Sequence, residues 1–497
     1  FIPVFTKSLS KGKQSAWRIA STVVNLGLLI FVVLALIVSF NSDVIYSVFA
    51  PGFDQVQRGQ IVRLTRILFA AQGFFVVSYV LTGVLESLRR FLVPALAPLF
   101  YNIGIILGTI LLNQRLELLA PTLGVLVGAF SHFLIQLPLA YKLGFRFSFN
   151  LSISDEVKKI GRLALPRVIE VSFLQIVKVV ELFFSSIIST AAYTYFTFGN
   201  TLQLLPVGLF GTSIAKAALP TLSRQSDEPK KFSKTLLSSL YQLVFLTAPV
   251  ATILIVLRIP IIRLVYGTDI FSWEATVQTG YVLSAFAFGV VFQSASALLA
   301  RSFYAINNTK TPVTVSVAAM LTTVVLDFVF VGGFGVSVWG LAAAFSIGSF
   351  LQACVLFYLL NKRVIKGKIG LLINPIFKVA FASFSSGTIM FLVLKVFDRS
   401  VWVKRLSFLG KIESTRYMAF ERFVLDTRYT VNLLVLTLLV SVMGGLVYLG
   451  ISLIIGSRQV WVFFDLVKRI IVKRKMVPIP AKEPEPVAPT PTDSSTT

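Results

Sequence analysis

The sequence predicts an all-α polytopic membrane protein with about twelve transmembrane helices. Three observations predict it. The mean hydropathy is +0.84. Hydrophobic residues fill 56% of the 497 positions and charged ones 13%, against roughly 25% in an ordinary soluble domain. Apolar stretches of about twenty residues, the length that crosses a bilayer as a helix, recur along the chain. The stretches are continuously apolar rather than alternating, which excludes a transmembrane β-barrel. A soluble enzyme and a disordered chain are excluded on the same grounds. Cys354 and His132 are the only residues of their kinds, so an intrachain disulfide and metal, haem or iron–sulfur sites built on Cys/His clusters are excluded as well.

In chain order the spans fall near 16–40, 64–86, 92–113, 119–141, 165–189, 193–217, 235–258, 278–302, 311–332, 336–360, 374–397 and 430–456. The connections alternate in charge. One set carries Lys7, Lys11, Lys13 and Arg18; Arg89 and Arg90; Lys142, Arg146, Lys158, Lys159 and Arg162; Arg224, Lys230, Lys231 and Lys234; and Lys362, Arg363, Lys366 and Lys368. The alternate set is poor in Lys and Arg, so the first set is expected in the cytoplasm. This distribution accounts for most of the net charge of +25 and leaves nucleic acid without a role as a partner. One outer connection, 398–428, breaks the pattern with seven basic residues; Trp402, Phe408, Tyr417 and Phe420 suggest that it lies along the outer interface. After the last span, 458–477 is basic and aromatic. It reads either as a surface helix against anionic inner-leaflet lipid or as an ordinary positive stop. The final segment, 478–497, is a Pro-rich disordered cytoplasmic tail.

Two stretches repeat. Asp54 leads a helix to Leu88-Arg89-Arg90, and Pro94 opens the next; Asp269 leads a helix to Arg301-Ser302-Phe303-Tyr304, and Pro312 opens the next. The offsets are 215 residues for the acids and 218 for the prolines. Two copies in the same orientation place a binding site between them. The second copy carries two helices ahead of its matching part and the first carries none, so two N-terminal helices are expected to be missing. The start at Phe1, without a signal peptide, agrees.

The span 165–189 is the most charged. Arg167, Glu170, Lys178 and Glu181 fall within about 80° of one another at 100° per residue. At roughly 2.5–3.5 kcal/mol each near the bilayer centre, they are not expected all to face lipid. The functional reading is a polar stripe lining a central cavity. The alternative is a Lys178–Glu181 ion pair that only joins helices. Asp327, with Thr323 one turn before it, suits a Na⁺ or H⁺ site, or else a hydrogen-bonded carboxylate near a helix end. Asn200, Thr201 and Gln203 precede Pro206-Val-Gly208, the pattern of a bent transporter helix, with interhelical hydrogen bonding as the alternative. His132, with Gln136 one turn on, reads as an interhelical histidine rather than a proton carrier. No phosphate loop, H-E-x-x-H motif or carboxylate cluster for Mg²⁺ is present, so no enzyme is expected.

The segments Val48-Phe-Ala-Pro-Gly-Phe-Asp54, Leu64-Thr-Arg-Ile-Leu-Phe69, Arg90-Phe-Leu-Val-Pro-Ala-Leu-Ala-Pro-Leu-Phe-Tyr-Asn102, Leu205-Pro-Val-Gly-Leu-Phe-Gly211, Ala218-Leu-Pro-Thr-Leu-Ser-Arg224, and Phe303-Tyr304 with Thr309-Lys-Thr-Pro312 resemble the MurJ (MviN) lipid II flippase family, in the family's order over about residues 1–360. The resemblance implies the multidrug/oligosaccharidyl-lipid/polysaccharide exporter fold: fourteen helices in two pseudo-symmetric lobes plus two C-terminal helices. Here that means an N-lobe over 1–150 with four helices present, a C-lobe over 151–361, and the extra helices over 362–457. It implies movement of an undecaprenyl-pyrophosphate-linked precursor from the inner to the outer leaflet of the bacterial cytoplasmic membrane by alternating access. Arg167, Glu170, Lys178, Glu181, Asn200 and Gln203 would line the pathway. It also implies a Na⁺ site at Glu181, Thr323 and Asp327, and partners among anionic lipids and cell-wall synthesis proteins. Where the family often has Asp-Arg, this chain has Asn200-Thr201, which removes a cavity cation that Lys178 and Arg167 would replace. A flippase for another undecaprenyl-linked glycan and a non-transporting scaffold are the alternatives.

Overall fold

The computed structural model describes residues 1–268, 270–365, 370–397, 429–457, 459–461 and 463–464. The expected outer loop 398–428, the tail 478–497, Asp269 and most of the basic segment 458–477 lie outside them. Every long element among the described residues is helical. Eleven helical stretches are long and apolar enough to span a membrane, and each coincides with an expected run. The twelfth run, 165–189, lies in the 34-residue helix Asp155–Ile188 except for its last residue, the C-cap Ser189.

The first half opens with a short amphipathic helix, α1 (Ile2–Lys11), whose Phe5 is buried against Trp17. The spanning helix α2 (Lys13–Phe40), the short α3 (Ser42–Phe49) and the 33-residue α4 (Gln55–Ser87) follow. α4 begins nine residues before the expected apolar run because Asp54 builds a capping box: its carboxylate accepts from Gln57 N at 2.8 Å, and its own N–H donates to Gln57 Oε1 at 3.2 Å. Next come α5 (Leu92–Leu116) and α6 (Leu119–Leu134), paired along their length. The pairing has a sequence cause. Gly104 and Gly108 on α5 face Gly128 and Gly124 on α6 so closely that a Cβ on either α5 glycine would stand 2.4 Å from the opposing Cα. Small residues four apart let two helix backbones meet without a side chain between them.

α6 breaks at Gln136, and α7 (Leu137–Lys142) resumes with Pro138 in its first turn, where a missing N–H costs nothing. The connection that follows is strapped to α2. Asn25 Nδ2 donates to the carbonyls of Ser148 and Asn150 at 2.9 and 3.0 Å.

The second half begins with α8 (Asp155–Ile188), started by Ser154, whose hydroxyl accepts from Val157 N. This cap sets the helix ten residues ahead of the expected span. The expected span 193–217 is not one α-helix. It is α9 (Ala192–Pro206), a π-turn over Val207–Thr212, and α10 (Ser213–Arg224). Then come α11 (Pro229–Val256), the short α12 (Arg258–Tyr266), the 33-residue α13 (Trp273–Ala305), and α14 (Lys310–Asp327) with a π-turn at Phe328–Gly333. α15 (Trp339–Leu360) ends in a third π-turn at Asn361–Ile365. α13 is the hub of this half, packed against α9, α10, α11 and α15. The last pair, α16 (Gly370–Phe397) and α17 (Thr430–Ile454), lies against α11; Ser386 Oγ donates to Gly444 O at 2.7 Å, and Tyr448 OH to Phe245 O at 2.8 Å.

The repeat read from the sequence has a structural register of 218. Asp54 caps α4 and Ser272 caps α13, so Ser272, not Asp269, corresponds to Asp54. Both long helices are 33 residues, and Pro94 and Pro312 stand in the first turns of the helices that follow.

Candidate functional site

α8 carries the charged stripe, and the fold ties it to the first half at both ends. Near its start, Val157 and Ile160 pack with Val4 and Ile19 in one apolar cluster. Near its end, Ser186 Oγ accepts from Gly52 N at 3.3 Å. Between these ties Lys178 is exposed and Glu181 is half-buried. No ion pair within 4.0 Å joins Lys178 to Glu181 among the described residues, although the two lie within electrostatic reach of each other. Arg167 and Glu170 lie in α8 on the same helical face, but their side chains are outside the described residues.

The C-terminal half of α8 packs into the second half. Phe184 meets Phe328 edge to face at 4.7 Å, and Phe184 itself belongs to a cluster with Phe196, Phe286 and Leu341. Glu181 lies within electrostatic reach of Lys178, three residues before it on α8, and of Tyr193 and Asp327 in the second half. Asp327 is 1% exposed, and among the described residues neither of its carboxylate oxygens has a hydrogen-bond partner. Thr323, one turn before, is buried, and its hydroxyl proton goes to Ala319 O at 3.1 Å, so its oxygen keeps its lone pairs. Gly348 of α15 makes the room. A Cβ there would stand 2.3 Å from Thr323 Oγ. Asp327 is also the last residue before the π-turn Phe328–Gly333, a local widening often placed at functional sites.

The group Glu181, Thr323 and Asp327 thus offers oxygen atoms only. Two orphaned buried carboxylate oxygens and a hydroxyl suit a hard cation such as Na⁺, or a proton, and not a soft metal. An unpartnered carboxylate in a dry interior is costly, which is the physical reason to expect a cation or proton there.

The polar residues of α9 have separate fates. Gln203 is fully buried; its Nε2 donates to Asn200 Oδ1 at 2.8 Å, and its Oε1 accepts from Gln293 Nε2 of α13 at 2.8 Å. Asn200 is half-buried and Thr201 exposed. Beyond Pro206, Arg301 donates to Thr212 O at 3.1 Å and so bonds a carbonyl of the π-turn. Gln293 was missed in the sequence; a glutamine inside the apolar run 278–302 was its signal. His132 sits in a closed network between α4 and α6. Its Nδ1 is 2.6 Å from Ser78 Oγ, Gln136 Nε2 donates to Ser78 Oγ at 2.7 Å, and Thr82 donates to Gln136 Oε1 at 2.9 Å.

The sequence matches the family described as "Lipid II flippase MurJ" over residues 1–411. It is 29% identical over 373 residues to a Vibrio cholerae protein described as "Probable lipid II flippase MurJ", covering 72% of this chain and 70% of that one. It is 26% identical over 396 residues to the "Lipid II flippase MurJ" of Thermosipho africanus, covering 79% and 80%. The fold is similar to a solved lipid II flippase MurJ in an inward closed conformation, with a TM-score of 0.70 at 24% identity over 94% of this chain and 90% of that one. It is also similar to an inward-facing multidrug resistance transporter of the MOP superfamily, with a TM-score of 0.62 at 15% identity over 73% of this chain and 85% of that one.

Proposed function

This chain belongs to the lipid II flippase MurJ family, and on that premise we propose that it carries an undecaprenyl-pyrophosphate-linked peptidoglycan precursor from the inner to the outer leaflet of the bacterial cytoplasmic membrane. The basic connections, including Arg89, Arg90 and Lys142, face the cytoplasm, as does the C-terminal tail. Two lobes, 1–150 and 151–361, rock about the cavity between them. The lipid tail stays in the bilayer beside the helices of 362–457. No covalent bond is made or broken.

The observation that carries the reading is the placing of Lys178: an exposed cation in the interior of a helix held at both ends by the other half of the chain. A primary ammonium in a sheltered cavity attracts a pyrophosphate far more strongly than the same pair in water. Arg167 on the same helical face adds a second cation. The amide chain Gln293–Gln203–Asn200, buried at Gln203, presents the half-buried Asn200 as a hydrogen-bonding group for the polar head. Glu181, Thr323 and Asp327 would hold a coupling Na⁺ or H⁺, which would supply the positive charge that two close carboxylates lack. The anionic inner leaflet would meet the basic segment 458–477, and cell-wall synthesis proteins are the partners that would consume the delivered precursor.

The test is flipping by purified full-length protein in vesicles, with a fluorescent lipid-linked precursor. Lys178→Ala is expected to slow transport at least tenfold and Lys178→Arg to retain most of it. Unchanged transport in both variants, with the protein correctly inserted, overturns the reading.

A further inference from the structure

Building on the alternating-access reading, we propose that Gly52 and Ser186 form the contact that shuts the outer face between the two halves, making Gly52 a positioning residue for the inward-to-outward switch.

Gly52 lies in the turn between α3 and α4. Its N–H donates to Ser186 Oγ at 3.3 Å, while that hydroxyl spends its own proton on Phe183 O at 2.8 Å. Ser186 is therefore held as an acceptor aimed at the other half of the molecule. A Cβ on Gly52 would stand 1.8 Å from Ser186 O and 2.4 Å from its carbonyl carbon. Backbone meets backbone here, so no rotamer change relieves a side chain; the two segments would have to part. Gly52 does not belong to the positive-φ residues, so the close approach, and not backbone conformation, requires glycine.

The corresponding turn of the second half shows the contrast. A Cβ on Gly267, after α12, would strike Arg263 O at 2.1 Å, an atom of its own helix. One glycine closes a local helix end; the other touches a helix 134 residues further along the chain.

The two ends of α8 are also unlike in how they hold. The Val157–Ile160 end is joined by apolar packing and follows directly on the connection strapped to α2 by Asn25. It stays attached while the halves move. Among the described residues the Ser186 end is joined by one hydrogen bond, from the Gly52 N–H to the Ser186 hydroxyl, while its neighbour Phe184 is anchored in the second half. A helix held at one end swings at the other. From Ile160 to Ser186 the lever is about 39 Å, so a 10° rotation moves the outer end by about 7 Å. Such a motion breaks the Gly52–Ser186 contact and leaves the Phe184 cluster intact.

The experiment places spin labels at Val44→Cys and Ser189→Cys, both exposed, in a Cys354→Ser background in lipid nanodiscs, and measures their separation. The parent protein should populate a short distance, with a longer one as a second population. Gly52→Val should move the majority to the longer distance, Gly52→Ala should do so in part, and Gly267→Ala should not. Two populations in the parent with an unchanged ratio in both Gly52 variants overturn the gate assignment. One unvarying distance in the parent, with and without lipid precursor and Na⁺, overturns instead the alternating-access reading beneath it. If the Gly52 variants do not insert, a bis-maleimide bridge between Phe53→Cys and Ile187→Cys decides: it should block thiol labelling of Lys178→Cys from outside, and unhindered outside labelling overturns the assignment.

Discussion

Arg89 and Asn307, 218 residues apart, hold the same left-handed backbone conformation, φ 58° and 59°. Each lies just past the end of a 33-residue helix, and each is followed by a residue whose N–H reaches back five positions: Arg90 N to Leu85 O at 2.8 Å, Asn308 N to Phe303 O at 2.9 Å. The same helix stop is thus built twice from unlike residues. An arginine in this conformation carries strain of roughly 1–2 kcal/mol that glycine avoids, and asparagine tolerates it better. The duplicated backbone therefore persists where the residues have diverged.

From this pair follows a stability order at position 307. Asn307→Gly should leave the thermal midpoint in detergent unchanged or slightly raised. Asn307→Val, β-branched and unable to adopt a positive φ cheaply, should destabilise by about 1–2 kcal/mol. Equal midpoints for the two variants would show that the stop does not depend on residue 307.

The α5–α6 seam should tolerate no side chain. Gly124→Leu introduces a group where the nearest backbone atom is 2.9 Å from a single added carbon. Overpacking of this kind costs about 1–3 kcal/mol, and more where helix backbones touch. Gly59→Leu on α4, with nothing within 4 Å of an added Cβ, is the matched control. Thermal unfolding followed by tryptophan fluorescence should separate the two; coincident curves would mean that the seam can open at no cost.

Gln203 and Gln293 should behave as a coupled pair. Gln293→Leu leaves the buried Gln203 carbonyl without its donor, a penalty of about 1–3 kcal/mol, and Gln203→Leu leaves the half-buried Gln293 amide without its acceptor, at a smaller cost. The double change removes both ends of the hydrogen bond and should recover part of that loss. Additive losses in the double-mutant cycle would deny the coupling.

Glu181→Gln and Asp327→Asn should each abolish any stabilisation by Na⁺ without unfolding the protein. The motive is the pair of buried Asp327 oxygens, unpartnered among the described residues and within electrostatic reach of a second carboxylate. Thermal midpoints measured in Na⁺ and in choline at equal ionic strength give the readout. A Na⁺-dependent shift that survives in both variants would place the cation elsewhere; no shift in the parent would leave a proton as the charge that settles the pair.

The spans and the charged face of α8 were legible as sequence because each follows from a run or a period: about twenty residues for a bilayer, one hundred degrees per helical residue. Helix starts were less legible. Asp54 and Ser154 extend α4 and α8 through polar turns that hydropathy does not register, since a cap acts through hydrogen bonds to backbone and not through apolar area. The π-turns after Pro206 and Asp327 left no periodic signal, because each shifts the helix by one residue only.

The sequence by itself determined that the chain is a bundle of membrane-crossing helices, how its connections alternate in charge, that one unit occurs twice, and which helix bears the charges. These are properties of composition and spacing, decided by what a bilayer admits. Only the tertiary structure decided which of the polar residues meet. It buried Gln203 on Gln293, left Lys178 exposed between two ties, brought Glu181 within electrostatic reach of Asp327, and set Gly52 against Ser186. The reason is that each meeting joins segments roughly 90 to 150 residues apart. Side chains so distant along the chain are brought together by helix crossing and packing, which depend on all the intervening helices at once and leave no local trace in the order of the residues.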